Sequence, residues 1–212
     1  MRMGVLGSGL AAQTISARLA ELGYDVMIGT RDPEKLKGWQ SSNQRVKIGS
    51  FAETAPHGEM VFNATNGAAS LNALMMAGEA NLNGKILVDV SNPLGFSNGF
   101  PPPLKVFGTD SLAEQIQRAF PFTKVVKTLN TVNARVMVYP QEVAEGDHHI
   151  FISADDPDAK AQVTELLRSF GWINIFDLGD LSTARGTEAY LLLWVRLYGA
   201  MNTSMINVKI MK

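Results

Sequence analysis

The chain has no cysteine among its 212 residues. That excludes disulfides, thiolate metal sites, iron–sulfur clusters and a cysteine nucleophile, and it accords with a reducing compartment. An excess of either charge is also lacking: 19 Lys and Arg stand against 20 Asp and Glu, a formal net charge of −1. With no Lys/Arg run beyond two residues, nothing supplies the electrostatic footprint that nucleic acid or an anionic membrane requires. A long hydrophobic run is missing as well. The most apolar stretch, Ala189 to Tyr198, is interrupted by Arg196 and falls far short of the roughly 20 residues that cross a bilayer, so it reads as a buried helix. The N-terminus enters a strand-like run at once, Met3 to Leu6, without the longer apolar stretch and small-residue cleavage site of a signal peptide, which predicts a cytoplasmic location.

What is present is enough apolar content, 46 %, to bury the core of one large domain or of a domain with a small lobe. Short β-branched runs alternate with helical patterns, the signature of a parallel sheet with crossover helices. The predicted strands are Met3–Leu6, Asp25–Ile28, Arg45–Ile48, Met60–Ala64, Ile86–Val90 and Val125–Leu129. Between the first two, Ala12, Ile15, Leu19 and Leu22 recur at helical spacing and Gly23 closes the helix. Asp32-Pro33, Ser50 with Glu53 and Ser111 with Glu114 announce further helix starts. Asn92 to Gly108, with four prolines and three glycines, reads as an irregular loop of a length that is often functional. After Tyr139-Pro140 the pattern restarts with a strand at His149–Ile152, a helix from Asp156-Pro157 to Gly171 and a strand at Trp172–Phe176. A long apolar helix from about Ser182 to about Val208 ends the chain. The expected fold is α/β: a Rossmann-type doubly wound parallel sheet over residues 1–139, with a small C-terminal α/β extension and a long terminal helix over 140–212, packed on the first part.

Gly7-x-Gly9-x-x-Ala12 sits where a strand ends and a helix begins. There the first glycine permits the tight turn, the second lets the backbone approach a pyrophosphate, and the small third residue allows close helix–strand packing. Gly7, Ser8, Gly9, Leu10 and Ala11 are therefore candidate cofactor-binding residues, with the anion on the helix N-terminus. About 20 residues on, where an NAD-specific fold places an acid, the chain reads Gly29-Thr30-Arg31. A guanidinium suits a phosphate dianion, with the Thr30 hydroxyl and Lys35 as further partners, so the pattern favours NADP(H). Past the later strands come Ala64-Thr65-Asn66, Ser91-Asn92-Pro93 and Asn130-Thr131, whose amides and hydroxyls can meet ribose and carboxamide groups by neutral hydrogen bonds.

Carbonyl reduction requires a proton donor beside the hydride acceptor, and no tyrosine has a lysine four residues later. His57, His148 and His149 read as loop or strand-start residues, and no histidine–carboxylate spacing resembles a metal site. No catalytic side chain is assigned. Hydride transfer between a nicotinamide and a flavin-like ring held face to face needs positioning above all. A dehydrogenase of small carbonyl or hydroxy-acid substrates, using a donor such as Lys127, and a non-catalytic NADP-binding sensor remain as alternatives.

Taken together, Gly7-Ser8-Gly9, Gly29-Thr30-Arg31, Ser91-Asn92-Pro93, Lys127-Thr128-Leu129-Asn130-Thr131 and the terminal Ala184-Arg185 helix resemble the deazaflavin (coenzyme F-420)-dependent NADP oxidoreductase family, which is similar to the cytoplasmic reductase domain of STEAP-type ferric reductases. The resemblance implies an NADPH-binding Rossmann domain, a small C-terminal lobe and a homodimer. It implies that Thr30 and Arg31 hold the 2′-phosphate and that the loop after Ser91 lies near the nicotinamide. The second substrate is then a small-molecule redox acceptor: a flavin, a deazaflavin or a ferric complex. Where the deazaflavin enzyme carries His-Thr, this chain has Asn130-Thr131. The stripe of Leu191, Trp194, Val195, Tyr198 and Met201 fits either a dimer contact or a helix buried within one chain.

Overall fold

A computed structural model describes residues 1–95 and 99–211. Among the described residues eight strands form one sheet: β1 (Arg2–Leu6), β2 (Asp25–Gly29), β3 (Val46–Gly49), β4 (Met60–Asn63), β5 (Ile86–Asp89), β6 (Lys124–Thr128), β7 (His149–Ala154) and β8 (Asn174–Gly179). Its order is β3-β2-β1-β4-β5-β6-β7-β8. The first six strands run parallel, so the chain winds outward from β1 in one direction and then in the other. The result is a Rossmann-type doubly wound sheet, with its switch point between β1 and β4. β7 joins antiparallel to β6 and β8 parallel to β7, so the second part of the chain extends the same sheet. Every predicted strand is present, with ends shifted by at most three residues.

The helices are α1 (Leu10–Glu21), α2 (Lys37–Gln40), α3 (Phe51–His57), α4 (Ser70–Ala77), α5 (Glu79–Leu82), α6 (Leu112–Ala119), α7 (Ala134–Val138), α8 (Pro157–Phe170), α9 (Ala184–Ala189) and α10 (Leu191–Met201). Their starts follow local chemistry. Ser50 and Glu53 form a complete capping box, Asp156 accepts from the Ala159 N–H ahead of Pro157, and Gly171 closes α8 in the left-handed region. Ala12, Ile15 and Leu19 of α1 are fully buried against β1 and β2, in one of two apolar clusters on the sheet's opposite faces. The terminal helix differs from its expected extent. It breaks at Tyr190 into α9 and α10 and stops at Asn202, whose φ of 52° ends it; the remaining tail turns back so that the Val208 carbonyl accepts from the His149 N–H. In the loop expected at 92–108, a bridge pairs Leu94 with Leu104, and residues 96–98 lie outside the described residues. Among the described residues no helix is long and apolar enough to cross a membrane.

Candidate functional site

A cleft of about 290 Å³ opens at the carboxyl ends of β1, β2 and β4. Gly7, Ser8 and Gly9 line it on one side, Thr30, Arg31, Asp32 and Lys35 at one end, and Ala64, Thr65 and Asn66 on the other side. Nine of the sequence-predicted residues thus share one cavity: Gly7, Ser8, Gly9, Thr30, Arg31, Lys35, Ala64, Thr65 and Asn66.

The two glycines of the turn serve different needs. Gly7 has φ +130°, donates its N–H to the Gly29 carbonyl at 2.9 Å, and would place a Cβ only 2.5 Å from the Ala64 carbonyl oxygen, so the fold itself requires it. A Cβ on Gly9 would meet nothing within 4 Å. None of the described residues demands glycine there, and Gly9 lines the cleft. The first intrahelical bond of α1 runs from Gln13 N–H to the Gly9 carbonyl, which leaves the N–H groups of Leu10, Ala11 and Ala12 without helical partners. Leu10 and Ala11 do not line the cleft with their side chains, and Leu10 is exposed.

At the other end, Thr30 is buried and its hydroxyl accepts from the Asp32 N–H at 3.1 Å, which shapes the β2 turn. The Asp32 carboxylate caps the following helical turn by accepting from the Glu34 N–H. Arg31 is exposed and enters no ion pair among the described residues, and Lys35 sits 3.9 Å from Asp32. The cleft therefore pairs free backbone N–H groups with two accessible cations. This donor set fits a dinucleotide bearing a ribose phosphate.

Residues after β5 and β6 occupy a second cluster beyond the cleft lining. Asn92 and Asn130 clamp each other, with Asn92 Nδ2 donating to the Asn130 carbonyl at 2.8 Å and Asn130 Nδ2 to Asn92 Oδ1 at 3.0 Å. Ser91 is buried and its hydroxyl donates to Asp89 at 2.6 Å. Pro93 follows in the same loop, packed where a Cβ on Gly67 would strike the Asn92 carbonyl. Thr131 is buried and its hydroxyl lacks a hydrogen-bond partner among the described residues. Leu129, just before this pair, holds φ at +62°. For a non-glycine residue that conformation costs on the order of 1–3 kcal/mol.

The sequence does not foretell what holds this cluster. Lys127 is 1 % exposed and its ammonium is surrounded: Asp89 Oδ2 at 2.8 Å, Glu188 Oε1 at 2.9 Å and the Ser91 carbonyl at 2.5 Å. Burial alone would push it toward neutrality, but the two carboxylates outweigh burial and hold its pKa above the ordinary lysine value. A lysine with all three N–H groups committed and no access to the cleft has no proton to deliver there. This corrects the expectation that Lys127 could serve a carbonyl dehydrogenase. Its removal would leave two buried carboxylates uncompensated, a cost of about 3–5 kcal/mol, so loss of activity in Lys127→Ala would report misfolding rather than acid catalysis. Sequence reasoning also missed Phe51, Ala69, Asn72, Ala73 and Met76, which complete the cleft. Asn72 and Met76 stand four apart on α4, a spacing that gives one helix face. None of the three histidines lines the cleft.

The comparisons agree with this architecture. Residues 2–93 match the family model for NADP oxidoreductase, coenzyme F420-dependent. A solved structure of a candidate F420-dependent NADP reductase from Arthrobacter sp. FB24 is 50 % identical, with a TM-score of 0.97 and full coverage of both chains. The F420-dependent NADP reductase of Methanothermobacter marburgensis is 27 % identical over 209 residues, 93 % of this chain and 92 % of that protein. Metalloreductase STEAP3 of Rattus norvegicus is 32 % identical over 189 residues, 89 % of this chain but 36 % of that protein. The chain thus spans about a third of the length of the curated metalloreductases it matches. On the match across both full chains and on the family model, the chain belongs to the coenzyme F420-dependent NADP oxidoreductase family, a family of NADP-dependent oxidoreductases.

Proposed function

We propose that the chain is an NADPH-dependent reductase that passes hydride to a flavin, a deazaflavin or a comparable redox acceptor, ferric complexes included. The observation that carries the reading is the single cleft in which the Gly7–Gly9 turn faces Thr30, Arg31 and Lys35. The free N–H groups opening α1 hold the diphosphate, and Arg31, Lys35 and Thr30 hold the 2′-phosphate. Thr65, Asn66, Ser91, Asn92, Asn130 and Thr131 orient the nicotinamide half by neutral hydrogen bonds. When bound, NADPH supplies the hydride. Among the described residues lining the cleft, the titratable ones, Arg31, Asp32 and Lys35, all lie at its Thr30 end. On this reading transfer rests on proximity and alignment rather than on a side-chain acid. The same reading makes the protein a homodimer through the terminal helix.

Rapid mixing of NADPH or NADH with FMN, a deazaflavin and ferric chelates tests it. NADPH should be oxidised by at least one acceptor, and Arg31→Ala should weaken NADPH binding by about 10- to 100-fold with little effect on NADH, the loss of one charge-assisted phosphate pair. Failure of every acceptor to oxidise NADPH would sink the reductase reading, and equal affinity of the parent for NADH and NADPH would sink the phosphate assignment.

A further inference from the structure

Asn63, Asp89, Ser91, Lys127 and Glu188 are all buried, at most 3 % exposed, at the carboxyl ends of β4, β5 and β6 and on α9. They form one unbroken chain of hydrogen bonds that begins in the cleft. The Thr65 hydroxyl donates to Asn63 Oδ1 at 2.7 Å, Asn63 Nδ2 to Asp89 Oδ1 at 2.8 Å, and Lys127 joins Asp89 to Glu188. Glu188 ends the chain by accepting from the Leu112 and Ala113 N–H groups, at 2.8 and 3.1 Å, on the N-terminus of α6. Every recorded partner of the Glu188 carboxylate is a donor. Beside it on α9, the Thr187 carbonyl accepts from Asn130 Nδ2, so α9 grips both ends of the second cluster.

Desolvating three charged groups is costly, and an apolar layer of the same volume is often as stable or more so. Stability alone therefore gives a poor account of the arrangement, whereas geometry accounts for it directly. Lys127 fixes the Ser91 carbonyl, Asp89 fixes the Ser91 hydroxyl and N–H, and Asn63 fixes Thr65. In a doubly wound sheet these loops belong to the second mononucleotide half; Thr65 borders the glycine-turn cleft, and Ser91 lies beyond its lining.

We propose that Lys127 and Glu188 are positioning residues that hold the Ser91–Pro93 and Asn130–Thr131 segments, and so set the nicotinamide and acceptor geometry without contributing to the grip on the phosphates. The inference rests on the hydride-transfer reading for its kinetic part only.

The test uses the full chain with Glu188→Gln, which keeps the shape but turns an amide N–H₂ toward donors, and with Lys127→Arg, which keeps the charge and displaces it. Lys127→Arg carries the test if Glu188→Gln fails to fold, and all values are scaled to the folded fraction. NADPH affinity, by fluorescence titration, should stay within about 3-fold of the parent. The emission intensity of the bound dihydronicotinamide should change, and single-turnover hydride transfer to FMN or a deazaflavin should fall by about 10- to 100-fold, the loss expected from a misplacement of about 1 Å. Unchanged emission and transfer would overturn the proposal, as would a loss of transfer matched by an equal loss of NADPH affinity. Should the parent itself transfer no hydride, the affinity and emission measurements still decide the positioning role.

Discussion

Gly7 and Gly9 are two residues apart and carry separable burdens, one internal and one directed at a ligand. Gly7→Ala forces a side chain into a positive-φ turn against a backbone carbonyl and should cost about 2–4 kcal/mol in a urea titration. Gly9→Ala should leave stability within about 0.5 kcal/mol of the parent while weakening NADPH binding at least about 10-fold, because its methyl group occupies the approach of the pyrophosphate. Normal NADPH affinity in Gly9→Ala would place the cofactor elsewhere. At this scale the glycine turn and Thr30-Arg31 are legible in the sequence because their spacing from strand ends is local. The Lys127 cluster is not. A lysine on a strand ordinarily extends its ammonium to water, and its partner Asp89 lies 38 residues upstream on another strand. No periodicity encodes that meeting.

Helix ends were the most readable elements, since caps are decided by neighbours along the chain. Ser50 with Glu53, and Asp156-Pro157 with Gly171, form where their types require. The terminal helix was less so: apolar residues resume at Met205, Ile206 and Val208, and the stop falls at Asn202, a residue that tolerates the left-handed region, just ahead of Thr203 and Ser204. α6 adds a tie that spacing alone does not announce. Arg118, in its last turn, reaches back to Asp110 ahead of its Ser111 cap, and that guanidinium, with Gln115, draws the Asp110 pKa down to about 2. A carboxylate with a depressed folded-state pKa stabilises the fold above its unfolded pKa, and the contribution fades as pH falls toward the folded value. Arg118 is 61 % exposed, so solvent screening limits the tie to at most about 1 kcal/mol. Asp110→Asn should be less stable than the parent by that amount at pH 7, with the gap closing between pH 4 and about 2 in urea titrations run across that range. A gap that persists undiminished at the acid end would show that the loss does not come from this charge.

For the molecule as a whole, alternation of strand and helix made the six parallel strands readable, and their winding follows from the handedness of crossover connections. The reversal at β7 does not follow from composition. It depends on short helical turns between Pro140 and Gly146 that bring the chain back along β6. The outward surface of α10 is similarly mixed. Leu191 and Val195 of the predicted stripe are buried, whereas Leu192, Leu193, Tyr198 and Met201 are exposed, with Phe100 packed edge-on to Tyr198. An apolar surface of this kind fits the proposed homodimer. Light scattering at a concentration on the order of 50 μM should find two chains per particle, and Leu193→Asp should give single chains that still bind NADPH. Single chains in the parent would remove the dimer from the reading.

The order in which a ribosome makes these parts has a consequence of its own. Asp89 and Lys127 lie in the first two-thirds of the chain, whereas Glu188, which closes their cluster, is made near the end. A growing chain therefore holds the residues of the glycine turn and of the Thr30–Arg31 end first, and until Glu188 is made it has one of the two carboxylates that face Lys127 and lacks the Glu188 contact of α6. The residues assigned to the phosphates are thus all made before the far half of the site can be completed.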